Sequence, residues 1–93
     1  MDKLIRDQII SWDIRDIEGL LETIEGVWSH DYGKMDRYDL PDGEIFLVLV
    51  TGGWSDNESI IRAIDAHKLF GLLYWHSTIR GGMHCYKIYK VKE

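Results

Sequence analysis

Six consecutive apolar residues, Ile45-Phe46-Leu47-Val48-Leu49-Val50, run directly into Thr51-Gly52-Gly53-Trp54-Ser55. A continuous apolar run of this length predicts a strand buried on both faces. Something must therefore cover each side of its sheet: helices on both, or a helix on one and a dimer partner on the other. The diglycine that ends the strand admits positive φ and lets backbone N–H groups approach a neighbour closely. A helical pattern leaves the turn. Ser55-Asp56-Asn57-Glu58 has the S-x-x-E form of a capping box, and the helix it opens, to about Lys68, buries Ile60, Ile61 and Ile64. Capping accounts for Ser55 and Glu58 without any catalytic duty.

The elements around this unit follow from periodicity and turn chemistry. Ile10, Ile14, Ile17, Leu21 and Ile24 recur at four, three, four and three, which predicts one helix capped at Ser11 or Asp13 and ended by Gly26. Its other face carries Arg15, Glu18, Glu22 and Glu25. Residues 2–10 fit a short helix or an entry segment. In residues 27–39, Trp28, His30 and Tyr32 alternate with polar residues, as on an exposed edge strand that Gly33-Lys34 can interrupt. Leu40-Pro41-Asp42-Gly43 is a β-turn, with Pro at its second and Gly at its fourth position, and Glu44–Thr51 is the second arm of the hairpin.

Residues 69–79 start apolar on both faces and read as a strand. Gly81-Gly82 would close it into a two-residue hairpin, pairing Arg80 with Met83, Ile79 with His84 and His76 with Lys87. That register places His76 and Arg80 on one face with Lys87 opposite His76, a small electropositive strip. The last strand runs to Val91, and Lys92-Glu93 is tail. The sum is a single α+β domain over residues 1–93. Its order is helix–hairpin–helix–hairpin (αββαββ), with a four-stranded, mostly antiparallel sheet carrying helices on one face.

Charge is uneven. Residues 1–46 hold 12 acidic and 5 basic side chains (−7), residues 47–93 hold 4 and 6 (+2), and the two sum to the net −5. Too few cations gather for a duplex nucleic-acid surface. With one cysteine, Cys85, no internal disulfide forms. Neither a signal-peptide core nor a run near the ~20 residues of a membrane span is present, which suggests a cytoplasmic protein. The four histidines, His30, His67, His76 and His84, lack metal-ligand spacing, so no metal site is expected. No Walker loop or nucleophile elbow occurs. Cys85 and His84 are strand neighbours on opposite faces. No catalytic residue and no cofactor follow from these patterns, and an enzyme is the less favoured class.

What remains is a candidate binding site. Thr51, Gly52, Gly53, Trp54 and Asn57 form a turn at a helix N-terminus that offers N–H donors and partial positive charge to an anion, with Trp54 as an aromatic wall. Arg80, beside Gly81 and Gly82, supplies a guanidinium fork suited to a phosphate, with His76 nearby.

The order Thr51-Gly52-Gly53-Trp54-Ser55, Asn57-Glu58, Ile60-Ile61, Trp75, Ser77 and Arg80-Gly81-Gly82 resembles a family of small proteins from tailed bacteriophages and prophages, across about residues 45–90. Met83-His84 stands where that family often has an aromatic. The resemblance implies a phage accessory protein acting in a host bacterial cytoplasm and adds Trp75 and Ser77 to the candidate site. Two functions are expected to compete. One is non-enzymatic binding of a small anionic ligand, a nucleotide or cyclic nucleotide, that sequesters a host defence signal. The other is a protein-interaction module that inhibits a host protein through the acidic first half, with Trp28, Tyr32 and Tyr38 exposed. A homo-oligomer is compatible with either.

Overall fold

The computed structural model describes residues 3–89. Its elements are α1 (Lys3–Ile10), α2 (Ile17–Val27), β1 (Lys34–Asp39), β2 (Ile45–Val50), α3 (Ser55–Ala66), α4 (Lys68–Tyr74), β3 (Trp75–Ile79) and β4 (Met83–Ile88). The strands form one antiparallel sheet in the order β1-β2-β4-β3, so the apolar β2 is central and the polar β1 is an edge, as expected. The αββαββ order holds, with each helical stage split in two.

The first split occurs where the isoleucine periodicity predicts one helix. Local hydrogen bonds interrupt it: the Ser11 hydroxyl donates to the Asp7 carbonyl at 2.8 Å, and the Asp13 carboxylate accepts the Arg15 N–H at 3.0 Å. Short polar side chains that bond their own backbone in this way compete with helix. The cap of α2 is Asp16, which accepts from the Gly19 N–H at 3.1 Å, not Ser11 or Asp13. Gly26 lies inside α2, one residue before its end.

The second split is made by His67. Its buried ring accepts the Leu69 and Phe70 N–H groups on Nδ1, at 3.3 and 3.1 Å, and so caps α4. The proton therefore sits on Nε2, which donates to the Trp12 carbonyl at 2.7 Å. Residues 69–74, expected as strand, are helix because this cap fixes the first turn of α4 while Phe70 and Tyr74 fill the core. Trp28 is likewise buried at the end of α2 rather than exposed on a strand.

One face of the sheet is covered. Ile45, Leu47 and Leu49 of β2, with Tyr86 and Ile88 of β4, pack against Ile9, Leu20, Leu21, Ile24, Ile60, Ile61, Ile64 and Phe70. The opposite face carries Phe46, Val48, Val50, Met83 and Cys85 with no helix over it. Among the described residues the helices thus lie on one face, as the αββαββ order predicts, and of the two ways to cover β2 the one with helices on both faces is not realised. Val48 and Cys85 are buried all the same, by their neighbours within the sheet.

The Leu40–Gly43 turn closes as expected, with the Gly43 N–H donating to the Leu40 carbonyl at 3.0 Å. The second hairpin differs. Ile79 pairs with Met83, Thr78 with His84, Ser77 with Cys85 and Trp75 with Tyr86, around a bulge at His76. Arg80 thus belongs to a three-residue loop with Gly81 and Gly82, both at positive φ. The strand expected to reach Val91 is seen as Met83–Ile88; the expected tail, Lys92-Glu93, lies outside the described residues.

Tyr86 gives this core a pH signature. Its ring is fully buried, its hydroxyl donates to Asp65 at 3.3 Å, and burial, then the Asp65 charge, push its ionisation far above the ordinary phenol range. A raised folded-state pKa adds stability that is complete below the unfolded value, about 10, and declines as pH rises beyond it, by about 1.4 kcal/mol per pH unit. Tyr86→Phe should cost about 1 kcal/mol at neutral pH for the lost hydrogen bond. It should also flatten the decline in urea-unfolding stability between about pH 10 and 11. An unchanged slope would assign the alkaline loss to other groups, such as Tyr74, whose hydroxyl burial also raises.

Candidate functional site

Three loops meet at one end of the sheet, because β2 and β3 end there while β1 and β4 begin. They are residues 29–33 before β1, residues 51–54 after β2, and residues 80–82 between β3 and β4. Glycine makes each junction possible. Gly52 and Gly53 have φ of 64° and 76°, the positive values that both central residues of a type I′ turn need, and the Trp54 N–H closes that turn onto the Thr51 carbonyl at 3.1 Å. A Cβ on Gly52 would overlap the Tyr32 carbonyl oxygen, one on Gly33 the Val50 carbonyl, and one on Gly82 the Thr51 hydroxyl. The close approach these glycines permit is therefore between segments of the chain itself.

Buried polar groups stitch the loops together. The Thr51 N–H donates to the Gly82 carbonyl at 2.9 Å, which sets the two diglycine loops side by side, and the Thr51 hydroxyl accepts the Gly53 N–H at 3.3 Å. Asn57 is fully buried. Its Oδ1 accepts the Ser29 N–H at 2.8 Å, and its Nδ2 donates to the Ser29 and Thr51 carbonyls at 3.1 and 3.2 Å. The amide is committed to the backbone, so Asn57 holds the turn and presents nothing to solvent. The S-x-x-E box is not made: Trp54 is the N-cap of α3, with no side-chain cap, and the Ser55 carbonyl instead accepts the Ser59 hydroxyl at 3.0 Å. Asp56 and Glu58 in the first turn of α3 offset the positive end of the helix.

The exposed rim is aromatic and small. The Tyr32 and Trp54 rings stack with centroids 4.3 Å apart and planes within 10°. Beside them Gly53 and Gly81 have open space where a side chain would stand. Arg80 is exposed at the loop, with no ion-pair partner among the described residues. Next to the junction, on the helix side, lies an open groove of about 370 Å³, lined by Thr51, Glu58, Ile61, Arg62, Asp65, Gly82 and His84.

Of the expected site residues, Thr51, Gly52, Gly53, Trp54, Arg80, Gly81 and Gly82 come together at this end. Trp75, His76 and Ser77 do not. Trp75 begins β3, away from the loops, and donates its indole N–H to the Thr78 hydroxyl at 3.0 Å. His76 bonds Ser77 at 3.0 Å and packs at a T-shaped angle with the Phe46 ring, and the bulge there breaks the register that was expected to align it with Arg80 and Lys87. Tyr32 and Gly33 were hidden in the sequence; Asp31-Tyr32-Gly33 carried a turn signal, but their partners lie some 20 residues on. Among the described residues no three His, Cys, Asp or Glu side chains gather as metal ligands, and no helix is long and apolar enough to cross a membrane.

No protein-family model matches the chain, and no curated protein or solved structure is significantly similar to it.

Proposed function

We propose that the chain is a non-enzymatic binding protein that takes a small anionic ligand, a nucleotide or cyclic nucleotide, at the loop end of its sheet. The observation that carries this reading is the meeting of the two diglycine loops through Thr51 and Gly82, with the Tyr32–Trp54 stack and Arg80 on their exposed rim. A base would lie against the aromatic pair, a contact worth about 1–3 kcal/mol, and the phosphate would take the Arg80 fork. If the resemblance to phage proteins holds, the protein would act in a bacterial host by sequestering a signalling nucleotide. A thermal-shift panel of nucleotides and cyclic nucleotides tests this. A ligand at a hundredfold excess over Kd adds about 2.7 kcal/mol of stability, and Arg80→Ala and Trp54→Ala should each weaken binding about tenfold. Stabilisation by no member of the panel, or by one that both variants leave untouched, would refute the reading.

A second reading, a protein-interaction module, is favoured by one observation. On α4, Leu69, Leu72 and Leu73 stand at i, i+3 and i+4 and are 46%, 82% and 49% exposed, a one-sided apolar stripe of the kind that seats a partner. This is not the acidic surface expected from the sequence, where Glu18 is already held by both Arg37 guanidinium nitrogens at 2.6 and 2.7 Å. Capture of a host protein that Leu72→Glu abolishes, and that charge reversal at Glu22 and Glu25 spares, would select it.

A further inference from the structure

The chain is acidic, yet a cleft of about 290 Å³ between α1 and α3 is lined by two arginines and no carboxylate: Arg6, Ile10, Ser59, Arg62, Ala63 and Ala66. Its geometry comes from helix periodicity. Arg6 and Ile10 are one turn apart on α1, and Ser59, Arg62, Ala63 and Ala66 fall at i, i+3, i+4 and i+7 on the facing stripe of α3. The two alanines leave the space open.

The arginines here differ from those elsewhere. Arg15 pairs with Asp13 at 2.9 Å, and Arg37 pairs with Glu18 and Asp39 at 2.6 and 2.9 Å. Arg6 and Arg62 have no carboxylate partner among the described residues. Arg62 is also held in place: its Nη2 donates to the Ser59 hydroxyl at 3.0 Å, and that hydroxyl donates to the Ser55 carbonyl at 3.0 Å. The nearest acidic residues along α3, Glu58 and Asp65, line the separate groove on the other side of Arg62. Two like charges gain most from facing one cleft when an anion with several oxygens bridges them, since each guanidinium offers a planar fork of donors.

We infer that this cleft binds a small phosphorylated molecule. The phosphate bridges Arg6 and Arg62, and the carbon skeleton lies on Ile10, Ala63 and Ala66. The volume is at the lower end for small-molecule sites, about 300 Å³, which suits a sugar phosphate or a nucleoside monophosphate. The site is independent of the loop end, because Arg80 takes no part in it.

Calorimetric titration of the full chain with inorganic phosphate, a nucleoside monophosphate and the unphosphorylated nucleoside tests the inference. Saturable binding is expected for the two phosphates and none for the nucleoside. Arg6→Gln and Arg62→Gln should each weaken it at least tenfold, and Arg80→Gln should leave it unchanged. Both arginines are exposed, so the fold should survive, as a matching far-UV spectrum and Tm would verify. Ala66→Leu, which adds bulk at the exposed end of the cleft, should weaken the monophosphate more than free phosphate. The inference fails if neither phosphate binds saturably, or if binding persists in the Arg6→Gln/Arg62→Gln double variant. Loss confined to Arg80→Gln would also overturn it, and would support the loop end instead.

Discussion

Gly52→Ala should lower unfolding stability by about 3 kcal/mol or more, whereas Gly53→Ala, one residue on, should cost only about 1–2 kcal/mol. Both glycines have positive φ, 64° and 76°, and an alanine in that region costs about 1–2 kcal/mol by itself. Surroundings separate the two. A methyl group on Gly53 meets open space, but one on Gly52 would overlap the Tyr32 carbonyl, so the 29–33 loop must lift off the turn. Lifting it also pulls on the bonds from Ser29 to Asn57. Against a total stability of about 5–15 kcal/mol for a domain, the Gly52 variant should be marginal. Urea denaturation of the two variants side by side measures the contrast. Equal costs would mean that φ alone governs the position and that the Tyr32 contact is loose.

Asn57→Leu should be comparably damaging, at about 3–5 kcal/mol. The substitution keeps the branched heavy-atom skeleton, adds methyl bulk at a fully buried position and removes three hydrogen bonds at once; the Ser29 N–H loses its acceptor, while the Ser29 and Thr51 carbonyls keep only the Gly33 and Trp54 N–H groups. The orphaned N–H costs about 1–3 kcal/mol and the two lost carbonyl bonds about 1 kcal/mol each, the added bulk costs about 1–3 kcal/mol, and water entering the loosened loop recovers part of the total. Asn57→Asp is the sharper control. Its carboxylate still accepts from the Ser29 N–H but turns an acceptor towards two carbonyls, so it should rescue little. If the Leu variant unfolds at the same urea concentration as the parent chain, the brace between loop 29–33 and the strand–helix turn carries little energy.

These two positions also mark where sequence reasoning succeeded and where it stopped. The diglycines were legible because few residues other than Gly tolerate positive φ, and β2 was legible because an unbroken apolar run has few other places to go. The side-by-side placement of the two turns followed from β2 pairing with β4. Asn57 was recognised as notable for the wrong partner: its amide faces Ser29, 28 residues back, a distance that no local pattern encodes. The single N-terminal helix failed because Ile10, Ile14 and Ile17 keep helical spacing across a turn made by Ser11 and Asp13 side chains. Residues 69–74 failed because Leu-Phe-Gly-Leu-Leu-Tyr is apolar almost all round, and the capping residue is a histidine. The second hairpin slipped by one residue because Arg80 joins the loop, and the bulge at His76 then returned Trp75 to the helix-covered face beside Tyr86. The cleft between Arg6 and Arg62 was invisible for a similar reason, since it needs α1 to lie across α3.

The central claim is that the loop end of the sheet is where this protein meets an anionic ligand. Backbone amide and indole N–H chemical shifts, followed by NMR as a nucleotide is titrated in, test it most directly. The account predicts saturable shifts at Tyr32, Gly53, Trp54, Arg80 and Gly81, including the Trp54 indole, with Trp75 and His76 still. Shifts absent from those five residues at saturation, or confined to the surroundings of Arg6 and Arg62, would contradict it.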